Sequence, residues 1–481
     1  MKKNKQILIF LSIFMITRNF LLAVVLDFDA FNGNGKFINA KGGVISSSSN
    51  KPYNDVTGKI FVSGDFGENN YLNIIKTDKV FSALKFNGTV ISDSPIYVAK
   101  IGSNSATNEI YFILTRNKFN GGVIENNELG EILEAGYFDD NNTLKNKFYN
   151  DIKTFDSKEK LNLAIDETFG INIYPVITKQ TLEIIADISS STINSISTID
   201  EYSLVGEIKM LGSYKFNTIK FKNIDNVEGY ETESNIISFG AEAKIHSGLK
   251  IGTMFNLIDS NTDMDNSKGY REDLYYQGGI YTVCNVDSVT YSTLLFIGGS
   301  YTDIYRYNSS SLGDYKNESN MTNLFIGLNN SVYKKFRFGK LSISPKAELN
   351  VIGLNQGEIN EGGDYGLEID QINSLSIEPG IGFNVKKIFD ITHFTQLNIG
   401  AEIMNYVQVA DPYKDLDARL KTISSKKYDI EKYDNSIYHI DFAFKQSLKS
   451  LNGLSFYLTE NYILSKNQEQ FKFGLNALYI F

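Results

Sequence analysis

The stretch LSISPKAELNV, residues 341–351, alternates apolar and polar side chains without a break. Its apolar positions are Leu341, Ile343, Pro345, Ala347, Leu349 and Val351. A period of two is typical of a β-strand that has one apolar and one polar face. The polar faces of this and the related stretches carry Gly, Ser and Asn as well as charges, which favours a crowded or water-filled lumen over an open surface.

The same alternation returns along the C-terminal part of the chain, in residues 237–245, 375–385, 397–403 and 440–444. About twelve such segments follow residue 201, each about ten residues long, which is the length that a tilted strand needs to cross a bilayer. Long polar connections at 259–273, 305–320, 354–373 and 409–436 alternate with short turns. This is the arrangement of outer-membrane proteins. The sequence therefore predicts an all-β fold in which residues 201–481 form a transmembrane antiparallel β-barrel of about 12 strands.

Two prolines, Pro345 and Pro379, fall on the apolar face of predicted strands. Proline has no backbone N–H to donate to a neighbouring strand. We therefore expect a bulge or a local break in strand pairing at each of them.

The last predicted strand, residues 471–481, also alternates and finishes on Phe481. An alternating strand that finishes on an aromatic residue resembles the signal read by the outer-membrane assembly machinery. We assign that signal to Gly474, Tyr479 and Phe481.

The N-terminus carries Lys2, Lys3 and Lys5 before the apolar run 7–16. A positive segment followed by about ten apolar residues is typical of an export signal and too short for a membrane anchor. We therefore predict a signal peptide over residues 1–25. The single cysteine, Cys284, excludes an internal disulfide framework, and the net charge of −9 argues against nucleic acid as a partner.

Between the signal peptide and the barrel the sequence predicts two further regions. Residues 26–120 combine short strand-like runs with Gly and Asn turns, and fit a small sandwich or the last rungs of a β-helix. Residues 121–200 have helical spacing at 125–135, at 157–169 and again after Pro175. Ser157 is the predicted N-cap and Gly170 the predicted C-cap of the second of these helices.

These features together resemble the autotransporters of type V secretion. The resemblance covers residues 110–481 and includes Leu114-Thr115-Arg116-Asn117, the middle strands around Pro345 and the C-terminal strand. It implies a barrel that inserts into the outer membrane and exports or displays its own N-terminal passenger at the cell surface. An adhesive role for the passenger is one interpretation. The passenger available here, residues 26–120, is short for the family.

The resemblance also implies a helix that crosses the pore, placed at residues 178–196. The candidate lumen-facing charges are Glu207, Lys209, Glu242, Lys244, Lys346, Glu348, Glu378, Glu402, Asp441 and Lys445. These charges either pair with the helix or pair with one another across strands. The expected partners are outer-membrane lipid, the barrel assembly machinery and periplasmic chaperones, with a monomeric barrel. The alternative function is a porin-like or adhesive barrel whose N-terminal region stays periplasmic.

No arrangement of residues supports an enzyme, a cofactor or a metal site. The three histidines, His246, His393 and His439, have no ligand spacing, and no serine is matched to a His and an acid. One sharper hypothesis concerns Asn126-Asn127, a dipeptide that resembles the point at which some autotransporters cut themselves. It lies well before the predicted pore helix, which weakens that hypothesis.

Overall fold

The structure, a computed structural model, describes residues 95–480 except 105–108, 138–142, 154, 156, 198–203, 225–226, 309–311, 313–314, 393–394, 424–425, 434–437 and 451–453, together with strand segments between residues 24 and 92. Almost all of the predicted signal peptide, and Phe481, lie outside these residues. The chain divides into two compact units, residues 1–123 with 153–158, and residues 124–152 with 159–481.

The described part of the first unit contains nine short strands, six of which stack in parallel in two sheets. They are β1 (Val24–Val25), β2 (Phe28–Ala30), β3 (Asp55–Thr57), β4 (Lys59–Val62), β5 (Tyr71–Lys76), β6 (Lys85–Phe86), β7 (Thr89–Ser92), β8 (Tyr97–Asn104) and β9 (Glu109–Arg116). In the sheet β1-β3-β6, Val24 pairs with Val56 and Val56 with Phe86, so partners are 32 and 30 residues apart. The sheet β2-β4-β7 has the same spacing, and β5, β9 and β8 form an antiparallel sheet. Parallel strands at a regular interval are typical of β-helix rungs.

Four α-helices follow in the described part of residues 124–200, with a short irregular turn at Phe119–Val123 before them. They are α1 (Asn127–Tyr137), α2 (Thr143–Ile152), α3 (Lys158–Thr168) and α4 (Ile177–Ser197), the last preceded by a 3₁₀ turn at Tyr174–Val176. Gly170 follows α3 with φ +70°, and the Ile171 N–H donates to the Asp166 carbonyl, which is a glycine C-cap. The sequence analysis does not predict α2, whose buried apolar side chains, Phe148, Tyr149 and Ile152, all lie in its second half. Among the described residues, no helix is both long and apolar enough to cross a bilayer.

Most of the described residues after α4 belong to strands. The strands are β10 (Ile208–Phe221), β11 (Tyr230–His246), β12 (Leu249–Met264), β13 (Gly269–Val286), β14 (Val289–Asn308), β15 (Tyr315–Lys334), β16 (Phe336–Phe338), β17 (Leu341–Gln356), β18 (Ile359–Asn360), β19 (Leu367–Ile369), β20 (Ile372–Thr392), β21 (Thr395–Val407), β22 (Leu416–Leu420), β23 (Tyr428–Ile430), β24 (Tyr438–Ser450), β25 (Leu454–Ser465) and β26 (Gln468–Ile480), with a 3₁₀ turn at Asp265–Ser267. Each barrel strand pairs antiparallel with the next, β15 pairs with β17, and β26 returns to pair with β10. The predicted closed antiparallel barrel of twelve strands is confirmed, its wall being β10–β15, β17, β20, β21 and β24–β26.

The strands are longer than the sequence analysis predicted. They run 12 to 21 residues, and the predicted loop 259–273 lies mostly inside β12 and β13. In β12 the outward side chains change from Phe255 and Leu257 to Asp259, Asn261 and Asp263. The strand pairing therefore continues past the apolar band. The polar residues that the sequence analysis assigns to a loop belong mostly to these two strands.

Both prolines lie where strand pairing is interrupted. The pairing of β15 with β17 ends at Tyr333 and Lys346 and resumes on β16 at Phe336 and Ile343, so Pro345 lies in the gap. Pro379 pairs with Leu349 of β17, but β20 pairs with β21 only from Gly380 onward. At Pro345 the pairing resumes in the same register, so this break contains no bulge. Beyond Pro379 the pairing resumes as a bridge between Ile377 and Ala410 that is shifted by one residue, which is the offset of a bulge.

The two ends of the barrel differ. At the short-turn end, which includes 247–248 and 287–288, adjacent strands are joined by tight connections. At the long-loop end, two connections contain strands of their own. These strands, β18, β19, β22 and β23, form a four-stranded sheet, here called the loop sheet.

Candidate functional site: the lumen of the barrel

The barrel wall buries its polar face and exposes its apolar face. In β12 every second residue from Lys250 to Met264 is buried, and every intervening residue is exposed. Ile280 and Ile297 on the outside are 58% and 66% exposed, whereas the lumen side chain of Gln277 is 1% exposed. Water would favour the opposite arrangement, so this wall is built for lipid outside and a polar interior.

Helix α4 lies in the lumen, and one apolar face of the helix packs against the wall. Leu182, Ile185 and Ile188 recur at helical spacing and are buried. They belong to one cluster with the lumen-facing residues Tyr275, Phe296, Phe325, Ile352 and Leu354. The helix is therefore held against β13, β14, β15 and β17 by apolar packing.

Arg271, on β13, holds the first turn of α4. Its guanidinium donates to the Ile177 carbonyl at 3.2 Å and to the Thr181 hydroxyl at 2.8 Å. It also forms an ion pair with Asp273 at 2.7 Å, and both side chains are almost fully buried. A buried charge requires such a set of partners, because desolvation without them is costly.

Asp187 holds the opposite face of α4. Its carboxylate pairs with Lys472 of β26 and accepts hydrogen bonds from Asn217 at 2.6 Å and from Gln470. A narrow cleft of about 30 Å³ remains here, between α4 and strands β10, β24, β25 and β26. The lumen is therefore filled on one side by apolar contacts and on the other by hydrogen-bonded charges.

The structure brings four of the predicted lumen residues together. Lys346 lies 2.5 Å from Glu348 and 3.1 Å from Glu402, and Lys445 lies 3.1 Å from the same Glu402. Asn384 donates to Glu402 at 3.2 Å. This network joins strands β17, β20, β21 and β24.

Four others lie toward the short-turn end. Glu242 pairs with Lys250 at 3.2 Å, and both are buried. Lys209 is buried, 1% exposed, on β10. Glu207 and Lys244 are joined by their backbones where β10 begins, and the Glu207 carboxylate accepts the Leu204 N–H at 2.6 Å.

The remaining two predicted residues lie on neighbouring parts of the wall. Glu378 lies 3.4 Å from His439, whose ring stacks on Tyr406 at a centroid distance of 4.9 Å. Asp441 accepts hydrogen bonds from Asn461 at 3.2 and 3.3 Å. Lys346 and Glu348 lie on one strand, and the other ion pairs named here for the predicted residues join strand to strand. Helix α4 is held instead by Arg271, Asn217, Gln470 and Lys472.

The sequence analysis names none of these four residues. It places Arg271 in a loop, because the outward residues near it are polar. Lys472 and Gln470 alternate with Phe471 and Phe473 on the last strand, and this signal was available. Gly474 of the predicted assembly signal faces the lumen, where an added Cβ would lie 2.6 Å from the Thr459 hydroxyl, and Tyr479 is exposed on the outside.

The Asn126-Asn127 dipeptide begins α1. The Asn126 side chain accepts the N–H groups of Glu128 at 3.0 Å and Leu129 at 3.2 Å, which is an N-cap. Residue 127 is the first helical residue. The dipeptide thus has a structural role outside the lumen. Within the part of the chain that the structure describes, no group of three or more His, Cys, Asp or Glu side chains could hold a metal ion.

Comparison with known proteins gives one family. The model described as the autotransporter beta-domain matches residues 212–459, just over half of the chain. Among solved structures, the translocator domain of the autotransporter NalP from Neisseria meningitidis is similar at a TM-score of 0.48 and 11% identity, covering 62% of this chain and 97% of that one. The β domain of the Bordetella autotransporter BrkA is similar at a TM-score of 0.40 and 10% identity, covering 56% of this chain and 98% of that one. The transport unit of the autotransporter AIDA-I from Escherichia coli is similar at a TM-score of 0.34 and 10% identity, covering 58% of this chain and 92% of that one. A comparison with curated proteins gives no match.

Proposed function

This chain belongs to the autotransporter β-domain family, and from that premise we propose that its barrel exports its own N-terminal segment and displays it at the cell surface. The family is one of outer-membrane transport barrels and not an enzyme family.

The observation that carries the proposal is the direction of α4. Ile177 contacts Arg271 near the long-loop end, Asp187 contacts Asn217 further in, and Thr192 contacts Asn256 near mid-strand. The helix therefore runs from the long-loop end toward the short-turn end, where β10 begins. Long loops of outer-membrane barrels face outward, so residues that precede α4 belong outside the cell.

The alternative is a porin-like barrel with a periplasmic N-terminal region. A porin conducts through an open lumen. Here helix α4 occupies the lumen, and its Leu182, Ile185 and Ile188 are packed on the wall. This filling favours the translocator.

The proposed partners follow from the closed barrel. Pairing of β26 with β10 leaves no strand edge in the wall, which supports a monomer in outer-membrane lipid. Assembly is proposed to use the barrel assembly machinery and periplasmic chaperones. The displayed segment is proposed to be residues 26–120. Its parallel pairings favour a β-helical stem. An adhesive role is also proposed for this segment, and deletion of residues 26–120 should then abolish binding in a cell-adherence assay.

The test is an epitope tag near Gly43 in a Gram-negative host, with protease added outside intact cells. We expect loss of the tag while a heat-modifiable barrel fragment survives. The matched control carries the tag in the tight turn at Asp287 and Ser288, and this tag should resist protease until the outer membrane is broken. Protection of the Gly43 tag together with the control tag would refute export and support the periplasmic alternative.

A further inference from the structure

The helices that precede α4 pack on the loop sheet at the long-loop end. We call residues 124–137, 143–152 and 159–173 the latch. Phe148 of the latch contacts Tyr365 with ring centroids 5.6 Å apart, and Phe169 contacts Tyr428 at 5.1 Å. Gly136 lies close to the connection between strands β21 and β24. A Cβ added to Gly136 would come within 3.1 Å of the Ile423 carbonyl oxygen. This is close packing between folded segments.

One buried arginine joins the latch to the barrel. Arg306, at the outer end of β14, is 1% exposed. Its Nη1 donates to the carbonyls of Glu167 at 2.8 Å and Thr168 at 3.3 Å, in the last turn of α3. Its Nε and Nη2 donate to the Glu361 carboxylate at 2.8 and 2.6 Å. A cation at a helix C-terminus is favourable, so a single guanidinium ties wall, loop and latch together.

The latch contacts reach most of the way around the mouth. They involve the connection after β10 (Glu228 N–H to Asn172 carbonyl, 2.9 Å), the connection after β12 (Lys268 to Glu167, 2.6 Å), the end of β14 (Arg306), the loop after β17 (Phe148 with Tyr365) and the loop after β21 (Tyr428 hydroxyl to Phe169 carbonyl, 2.7 Å). These contacts, with four connections and the end of β14, are spread around the ring, which places the latch over its opening.

We propose that the latch closes the long-loop mouth of the barrel, that Arg306 holds it there, and that this closure acts in series with α4. The first barrier is helix α4 inside the lumen, and the second is the latch with the loop sheet outside it. This proposal does not depend on export of the passenger, because it concerns the folded barrel in either orientation. It predicts that losing one barrier leaves the barrel closed, whereas losing both opens it.

The first experiment measures whether Arg306 holds the latch. Purified, refolded full-length protein and its R306Q variant are digested with trypsin. The rate of cleavage after the exposed Lys158 and Lys160 measures how often α3 opens locally. We expect cleavage at least ten-fold faster in R306Q, with a heat-modifiable barrel retained. R337Q, which changes an exposed arginine of β16 near the short-turn end, should match the wild type.

R306Q leaves the buried Glu361 carboxylate without its guanidinium, which endangers folding. The double variant R306Q/E361Q removes that charge and should show the same faster cleavage in a folded barrel. If both variants keep the wild-type cleavage rate, Arg306 does not hold the latch and the proposal fails.

The second experiment measures closure in planar bilayers. Ala186→Pro breaks α4 at its middle, since proline removes a helix hydrogen bond and clashes with the preceding turn. Wild type, R306Q and A186P should each conduct little, and R306Q/A186P should conduct at least ten-fold more than either. If A186P alone conducts as much as the double variant, the latch does not close the mouth. A double variant that stays closed would also overturn the proposal.

Discussion

The two faces of the barrel wall differ in where their ion pairs lie: those on the outer face are exposed, and those on the lumen face are buried. Outside, Ile280 and Ile297 are exposed within the apolar band, and the ion pair of Lys220 with Glu231 lies beyond it. Inside, Arg271 with Asp273 and Lys250 with Glu242 are buried almost completely. The energetic role of a residue in this protein therefore depends on which face its position in the alternation selects.

The largest expected effect is at the buried pair. Arg271→Met leaves Asp273 as a buried charge without its cation and removes the contacts to Ile177 and Thr181. We expect a loss of about 3–5 kcal/mol in the free energy of unfolding. Because the chain has no Trp, the measurement is the urea midpoint followed by the heat-modifiable gel band. The variant R271M/D273L should recover much of the loss. An unchanged midpoint in Arg271→Met would contradict the assigned role.

The next effect is on the outer face. Ile297→Arg places a charge within the apolar band of β14 and should cost about 2–4 kcal/mol in a bilayer. The matched control is Asp263→Arg, on the outward face of β12 beyond the band, where the cost should be near zero. Urea unfolding in lipid vesicles measures both. Equal costs at the two positions would mean that the band is not the bilayer contact.

The faces of the wall were predictable from sequence, because a strict period of two assigns each residue to one side. Strand ends were not, since the alternation continues beyond the apolar band in β12 while its outward residues become polar. The partners of α4 were not predictable either. Contacts such as Asp187 with Lys472 join residues 285 positions apart, and they depend on barrel closure and on the rotation of the helix in the lumen.

A third prediction concerns an ionisable group outside the membrane. Burial, together with the nearby Glu125 and Glu167 carboxylates, raises the pKa of Asp166 from 3.8 to about 6. The folded latch therefore takes up a proton more readily than the unfolded chain. Its contribution to stability is fully present below about pH 4 and is lost as the pH rises through about 6.

Asp166→Asn should remove this dependence and stabilise the latch at pH 7.5 by about 1–2 kcal/mol, after allowance for partial exposure. The measurement is the rate of trypsin cleavage at pH 7.5 and of an acid-active protease such as pepsin at pH 4. Glu159→Gln, in the first turn of α3, is the control. A wild-type latch that opens more readily at pH 4 than at pH 7.5, relative to Asp166→Asn, would reverse the sign and refute the assignment.

The smallest effect is expected at the exposed ion pair between Lys220 and Glu231, whose charged atoms lie 2.9 Å apart. Both side chains are largely exposed, so water and salt screen the attraction, and ordering two long side chains has an entropic cost. Lys220→Gln should therefore leave the urea midpoint unchanged within error at 0.15 M salt. Lys250→Gln, which removes the cation of the buried pair with Glu242 at 3.2 Å, should lower it clearly. If the two substitutions had equal effects, burial would not distinguish the two faces of the wall, and the lumen around Glu242 would have to be as wet as the outer surface.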